Sequence, residues 1–198
     1  MLMKEQRCSD VASLPFNKQL AAGVLVFERM LPSLIVFSRD TGLDISCYER
    51  AREAAWLGLR NGTGVAGDRA LNEECLMRAP DTENFTHKLT SYALNAALAM
   101  SEILEFSVDH GLRHIKHVLE LATDSAYLYA MSPAPSFPAR SEFENRKIGE
   151  RMISEESRRQ QEDIDFVRRL PDRFDEDAIS LLRTRANSQS PLLPYHRE

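Results

Sequence analysis

Apolar and polar residues recur with a helical period along nearly the whole chain. In segments 19–30 and 89–107 the apolar residues surround the helix, which is typical of helices buried on most sides. Segment 112–131 carries a narrower apolar stripe, with apolar residues every three to four positions. No segment alternates convincingly with the period of two that is typical of strands. The pattern therefore predicts an all-α fold, a bundle of five or six main helices.

Proline, glycine and capping residues indicate where these helices begin and end. Pro15 suits the first turn of a helix, and we expect Pro32 to kink or restart that helix. Gly42 is placed to take a left-handed conformation just after a helix C-terminus. Ser46 and Glu49 have the spacing of a capping box at the start of the next helix. Further helices are expected at about 69–78, 89–107 and 112–131.

A change of composition divides the single expected domain into a core, at about 13–131, and a charged C-terminal part. The segment SPAPSFP (132–138) contains three prolines and is predicted to be a linker. Charged helices are expected at about 140–186, and a mobile tail at 187–198.

The charged part is predicted to form a helical arm. Between Ser154 and Asp165 only Ile164 is apolar, so this stretch offers no apolar face for burial. A helix of this kind is solvated or held by a partner, and we expect it to lie outside the core.

Composition excludes several classes of function. The 198 residues carry a formal net charge of -5, which argues against binding to nucleic acid or to anionic lipid. The apolar run 20–37 is interrupted by charged residues and a proline, so a membrane span is not expected. Cys8, Cys47 and Cys75 are odd in number and far apart, which suits reduced thiols in a cytoplasmic protein. No secretory signal is recognised at the N-terminus.

Glu28 and Arg29 are adjacent charges in the middle of the apolar helix. Isolated buried charges cost several kcal/mol, so both side chains are expected to pair or to reach the surface. The helix predicted after residue 46 offers partners, among them Arg52.

Other polar side chains in apolar helices could join this pair. They include Asn95, Glu102 and Asp124. If they converge with Glu28 and Arg29, the bundle holds a polar pocket for a ligand or for catalysis. The alternative, a structural ion-pair network, is favoured.

The stretch HGLRHIKH contains three of the five histidines. His110, His114 and His117 are spaced i, i+4, i+7, which places them on one side of a helix, where imidazoles can chelate a transition metal. His110 lies at the helix start beside Gly111, where its side chain can turn away. A solvated polar face is therefore the favoured interpretation.

The segment GTGVAG (62–67) matches the GxGxxG pattern of dinucleotide-binding loops. That pattern has this meaning only between a strand and a helix, whereas here a helix precedes it. A glycine loop is favoured. The sequence also lacks the ExxH, HExxH, GxSxG and GxxxxGK[ST] motifs, so no cofactor is expected.

Several stretches resemble the uncharacterised YjaG-like family of bacterial proteins, a family of unknown function. They are ERMLPSLIVFSRDTG (28–42), Tyr48, Arg50, Trp56 and AMSEIL (99–104). The resemblance covers about residues 16–190. It implies an all-helical cytosolic protein and no known activity, substrate or cofactor. In two features the chain departs from the family: only His114 of the three histidines has a counterpart, and the glycine pattern at 62–67 is absent there.

The function is therefore unknown from sequence, and we expect a non-enzymatic interaction or regulatory protein. The charged arm beside a well-patterned core favours a homo-oligomer, or a protein partner bound through the arm. The alternatives are a small-ligand binder or enzyme that uses a polar pocket, and a metal binder that uses the histidines.

Overall fold

The computed structural model describes residues 2–63, 69–131 and 142–192 of the chain. In these ranges the chain forms eight helices and no strand, which confirms the predicted all-α bundle. The helices are α1 (Leu2–Ala12), α2 (Phe16–Thr41), α3 (Ser46–Asn61), α4 (Arg69–Met77), α5 (Thr90–Asp109), α6 (Leu112–Met131), α7 (Glu142–Arg169) and α8 (Glu176–Ser188).

Helix α2 lies at the centre of the bundle and packs against α3, α5, α6, α7 and α8. Its residues from Leu20 to Phe27 are all buried, as expected for a helix that is apolar all round. The expected restart at Pro32 does not occur, because α2 continues through this proline to Thr41. A proline removes only one helical N–H, and packing on several sides of α2 holds the helix together there.

Helix α2 is also long and apolar enough to cross a membrane, judged by length and composition alone. However, 78% of its most apolar stretch is buried inside the bundle. This burial is the pattern of a core helix.

Helices α5 and α6 form a tight hairpin that packs along α2. The break predicted at residues 109–111 is confirmed: His110 takes a left-handed conformation (φ 57°) after α5, and α6 begins at Leu112. The small residues of α5 (Ala93, Ala96, Ala97 and Ala99) are all buried at the helix contacts.

Helix α7 corrects the expectation of a solvated arm. It packs against α6, α2 and α1, and it buries the polar side chains of Glu156, Gln160 and Asp163 together with Ile164. The expectation was wrong because a polar face can be buried when its partners are also charged or polar. The core therefore extends beyond residue 131 into α7 and α8.

Both ends of the chain differ from the expectation. Helix α1 was not predicted, and it packs against α7. The tail was expected to be mobile from residue 187, but α8 continues to Ser188, and buried Leu192 donates its N–H to the carbonyl oxygen of Arg29 at 2.9 Å. The predicted linker 132–138 and the last residues 193–198 lie outside the described residues, as does most of the glycine pattern at 62–67.

The helix ends confirm the prediction for Gly42 but not the capping box. Gly42 (φ 77°) and Gly62 (φ 66°) take left-handed conformations after α2 and α3. At the start of α3 the first helical residue is Ser46 itself, and its N–H is bound by the Asp44 carboxylate at 2.9 Å. The predicted capping box of Ser46 and Glu49 is therefore wrong, because the capping position before α3 is held by Ile45 and not by Ser46.

Replacing Gly42 tests the left-handed C-terminus of α2. We expect Gly42→Ala to lower the free energy of unfolding by about 1 kcal/mol, because a left-handed backbone is unfavourable for a residue with a Cβ atom. No other atom lies within 4 Å of the added Cβ, so this loss reports the backbone alone. Gly42→Asn should cost less, since asparagine tolerates this conformation. Urea unfolding measures both, and a more stable alanine variant would contradict the prediction.

Candidate functional site

Arg29 projects from α2 into a closed polar cluster between α2, α7 and α8. Its Nη2 atom donates to Glu156 Oε1 at 2.8 Å, and Nη1 donates to Asp163 Oδ2 and to Gln189 Oε1. The side chains of Arg29, Glu156 and Asp163 are only 1–2% exposed. A substrate in solution therefore has no access to this guanidinium.

Asp163 joins three parts of the chain through one carboxylate. Besides Arg29, it accepts hydrogen bonds from Arg185 Nε on α8 and from Gln189 Nε2 just beyond α8, each at 2.6 Å. Gln160, one turn before Asp163 on α7, donates to Glu156 Oε1 at 3.1 Å and to the Leu119 carbonyl oxygen on α6 at 2.9 Å. The network thus holds α2, α6, α7 and α8 together.

The charges of this network offset the cost of burial. Burial disfavours the guanidinium, but Glu156 and Asp163 outweigh this effect and raise the pKa of Arg29. Because the pKa of Arg29 is raised, the stabilisation from its ion pairs is fully present at any pH below the ordinary pKa of arginine. It is lost only as the pH rises through the raised pKa. Arg29 therefore stays charged in the core at every physiological pH.

Glu28 faces a different side of α2. Its carboxylate accepts hydrogen bonds from Arg52 Nε and from Trp56 Nε1, both at 2.7 Å. Arg52 was predicted as a partner from sequence, and this pair does form. Glu28 and Arg29 therefore take part in separate ion pairs, one towards α3 and one towards α7.

The remaining polar residues singled out from sequence do not converge on Arg29. Asn95 donates to Ser125 Oγ at 3.0 Å between α5 and α6. Glu102 binds histidines, and Asp124 lines a separate cavity beside α1. The single polar pocket that would have supported catalysis is therefore not formed by these residues.

The three histidines do not form one group, because His110 lies apart from the other two. The ring of His110 packs against Phe16 at a 40° tilt with centroids 4.3 Å apart, whereas His114 and His117 both bind the Glu102 carboxylate through Nδ1. Asp109 lies 3.2 Å from His114 Nε2. Among the described residues no group of three or more His, Cys, Asp or Glu side chains is arranged to hold a metal ion.

An open groove separates α3 from α8 and encloses about 750 Å³. Its base includes Trp56, and the Arg183 guanidinium lies over the Trp56 ring at 4.8 Å. Its rim carries both charges on each helix: Glu53 and Arg60 on α3, and Glu176 and Arg183 on α8. Leu57, which is 53% exposed, also lines it.

A comparison with known protein families matches residues 7–190 to a family described as "Protein of unknown function (DUF416)". The chain belongs to the DUF416 family. A solved DUF416 family protein from Shewanella baltica OS155 is similar to this chain with a TM-score of 0.78 and 16% sequence identity. The alignment covers 93% of this chain and 96% of that one, and at this identity it shows a shared fold alone. No curated protein matches significantly.

The partners of Arg29 in this DUF416 protein were not predicted from its sequence. Glu156, Gln160 and Asp163 are spaced i, i+4, i+7, so they form a polar stripe along one face of α7. This stripe could have indicated candidate partners, because an arginine buried in α2 requires a carboxylate from another helix. The spacing alone does not identify which helix faces it.

Removing the guanidinium tests the role of the buried network. We expect Arg29→Met to lower the free energy of unfolding by about 3–5 kcal/mol, because buried Glu156 would lose its ion-pair partner and buried Asp163 would keep only Arg185. Arg39→Met is the matched control in the same helix: this arginine is 72% exposed and pairs with Asp40, so we expect a loss below about 1 kcal/mol. Urea unfolding at neutral pH measures both. Equal losses in the two variants would contradict the assignment.

Proposed function

We propose that this DUF416 protein is a non-enzymatic interaction or regulatory protein that self-associates, with the groove between α3 and α8 as the contact surface. The observation that carries the proposal is the arrangement of exposed side chains along α3. Glu53, Leu57 and Arg60 are spaced i, i+4, i+7 and therefore form one stripe with an acid, an exposed leucine and a base in order.

Such a stripe is complementary to itself. Two copies related by a two-fold axis at Leu57 would pair α3 with α3 in antiparallel orientation, since a two-fold interface uses the same patch on both subunits. Leu57 would then meet the Leu57 of the second copy, and Glu53 would face Arg60 across the interface.

Helix α8 has the same order of charges. Glu176, Ser180 and Arg183 repeat the i, i+4, i+7 spacing with the acid before the base. Within one chain Arg60 pairs with Glu176, and Arg183 lies 3.6 Å from Glu53. These exposed pairs are weak individually, so they can be exchanged with those of a second copy at little cost.

The closed Arg29 cluster supports the non-enzymatic part of the proposal. Its charged side chains are buried and bound to each other, so no ligand reaches them. By holding α8 to α2 and α7, the cluster instead fixes the outer wall of the groove.

We further propose that the protein acts in the cytoplasm and is a YjaG-like member of DUF416. The free thiols of Cys47 and Cys75, both buried, suit a reducing compartment. The stretches 28–42 and 99–104 support the YjaG-like assignment.

Light scattering coupled to size exclusion tests self-association. We expect the wild type to be a dimer and Leu57→Glu to weaken the dimer by at least about 30-fold in Kd, since a charge at the centre of an interface costs about 2 kcal/mol or more. Met77→Glu on α4 is the matched control: Met77 is 80% exposed and lies outside the groove, so this variant should remain a dimer. A wild-type protein that stays monomeric throughout a concentration series would overturn the proposal.

Covalent capture distinguishes a second copy from another partner. We expect Leu57→Cys to form an interchain disulfide under mild oxidation, because the two-fold arrangement brings the two Cβ atoms together. Met77→Cys is the control and should remain uncrosslinked. If both variants crosslink equally, the contact surface is not the α3 stripe.

A further inference from the structure

A small cavity lies between α1 and α6, and it shares no lining residue with the groove. It encloses about 110 Å³. One molecule of water occupies about 30 Å³ of the liquid, so the cavity has room for a few waters or for one molecule the size of a small amino acid. Its lining is Arg7, Cys8, Lys116, Leu119, Glu120, Thr123 and Asp124.

Arg7 is the buried cation of this cavity. Arg7 is only 8% exposed. Its Nη1 atom is buried and has no hydrogen-bond partner among the described residues. Burial lowers the pKa of Arg7, while Cys8 and Glu156 act in the opposite direction. A buried charged donor without an acceptor is costly, so this atom requires an acceptor that the described residues do not supply.

Two polar side chains of α7 behind the cavity also have atoms without a hydrogen-bond partner among the described residues. Gln160 donates to the Leu119 carbonyl oxygen and to Thr123 Oγ1, so it directly backs two lining residues. Its own Oε1 atom and Glu156 Oε2 are buried without a partner among the described residues, but neither residue lines the cavity. Unsatisfied polar atoms are rare in folded proteins, and Arg7 Nη1, whose residue does line the cavity, points to a bound polar molecule there.

The charges of the lining indicate the class of that molecule. Two cations, Arg7 and Lys116, and two carboxylates, Glu120 and Asp124, surround one small space. A simple anion would be attracted by the two cations and repelled by the two carboxylates. A simple cation would be attracted by the carboxylates and repelled by the cations. A molecule with one charge of each sign satisfies both pairs.

We propose that this cavity binds a small zwitterion of the amino-acid type. Its carboxylate accepts a hydrogen bond from Arg7 Nη1 at the buried end, and its ammonium group lies against the exposed Asp124 carboxylate at the mouth. The pairing of guanidinium with carboxylate is a strong, charge-assisted hydrogen bond. The site is independent of self-association through the α3–α8 groove.

Binding of defined probes to the full-length protein tests this site. Glycine, L-alanine and L-serine are titrated by calorimetry and followed by thermal unfolding, with acetate and ethylammonium as singly charged probes. We expect at least one amino acid to bind and to raise Tm, since a ligand of the folded state stabilises it. Acetate and ethylammonium should bind at least about tenfold more weakly, because each makes only one of the two charge contacts.

Variants connect the binding to named residues. Arg7→Met should abolish binding of the amino acid, and Asp124→Asn should weaken it about tenfold while leaving acetate binding unchanged. Arg113→Met is the control: it lies on α6 outside the cavity, is 71% exposed, and should bind as the wild type does. Since Asp124 is an exposed residue, its variant gives the test even if Arg7→Met does not fold.

Three results would overturn the proposal. The first is the absence of binding by every amino acid, which would leave water as the occupant. The second is acetate binding as tight as that of glycine. The third is binding that neither Arg7→Met nor Asp124→Asn reduces.

Discussion

The buried guanidinium of Arg29 is the constraint on which the rest of the structure depends. A charge in the centre of an apolar helix is tolerated only if carboxylates reach it from elsewhere, and the chain supplies them from Glu156 and Asp163, more than a hundred residues later. This requirement brings α7 into the bundle although its face is polar. It also brings in α8, because Asp163 binds Arg185 and Gln189 with its second oxygen. Helices α7 and α8 are thus part of the core.

The position of α8 in turn creates the surface that we consider functional. The groove exists because α8 is held beside α3, where Arg183 covers Trp56 and each helix presents a stripe with one acidic and one basic side chain. The indole of Trp56 also binds Glu28. The two adjacent charges of α2 therefore support the two walls of the groove: Glu28 binds α3 directly, and Arg29 holds α8 through Asp163. The closed charged cluster and the mixed charges of the groove are the basis on which we propose association rather than catalysis for this DUF416 protein. The cavity at Arg7, which we propose as a site for a small molecule, lies away from that surface.

Whether a contact of the site could be predicted from sequence depends on how far apart its two residues lie along the chain. The pair of Glu28 and Arg52 was predictable, because α3 follows α2 after a short turn and offers few alternatives. The pairs of Arg29 with Glu156 and Asp163 were not, since the sequence shows a polar stripe on α7 without showing which helix it faces. Arg7 was missed for a related reason: α1 has a weak apolar pattern, and its packing against α7 depends on α7 being folded into the bundle. For the histidines, the sequence indicated that His110 can turn away at the helix start, and its left-handed backbone does direct it towards Phe16. The shared contact of His114 and His117 with Glu102 was not predicted, because it depends on how α6 packs against α5.

The sequence by itself determined the fold class, the span of α3, α5 and α6 to within a few residues, and the left-handed glycine at 42. These features depend on periodicity and local backbone preference, which act between neighbouring residues. Only the tertiary structure decided that α2 continues through Pro32, that α7 is buried, and that the polar residues form several separate clusters. Those outcomes depend on the free energy of charges and proline in a packed interior, and this energy is set by side chains distant in sequence.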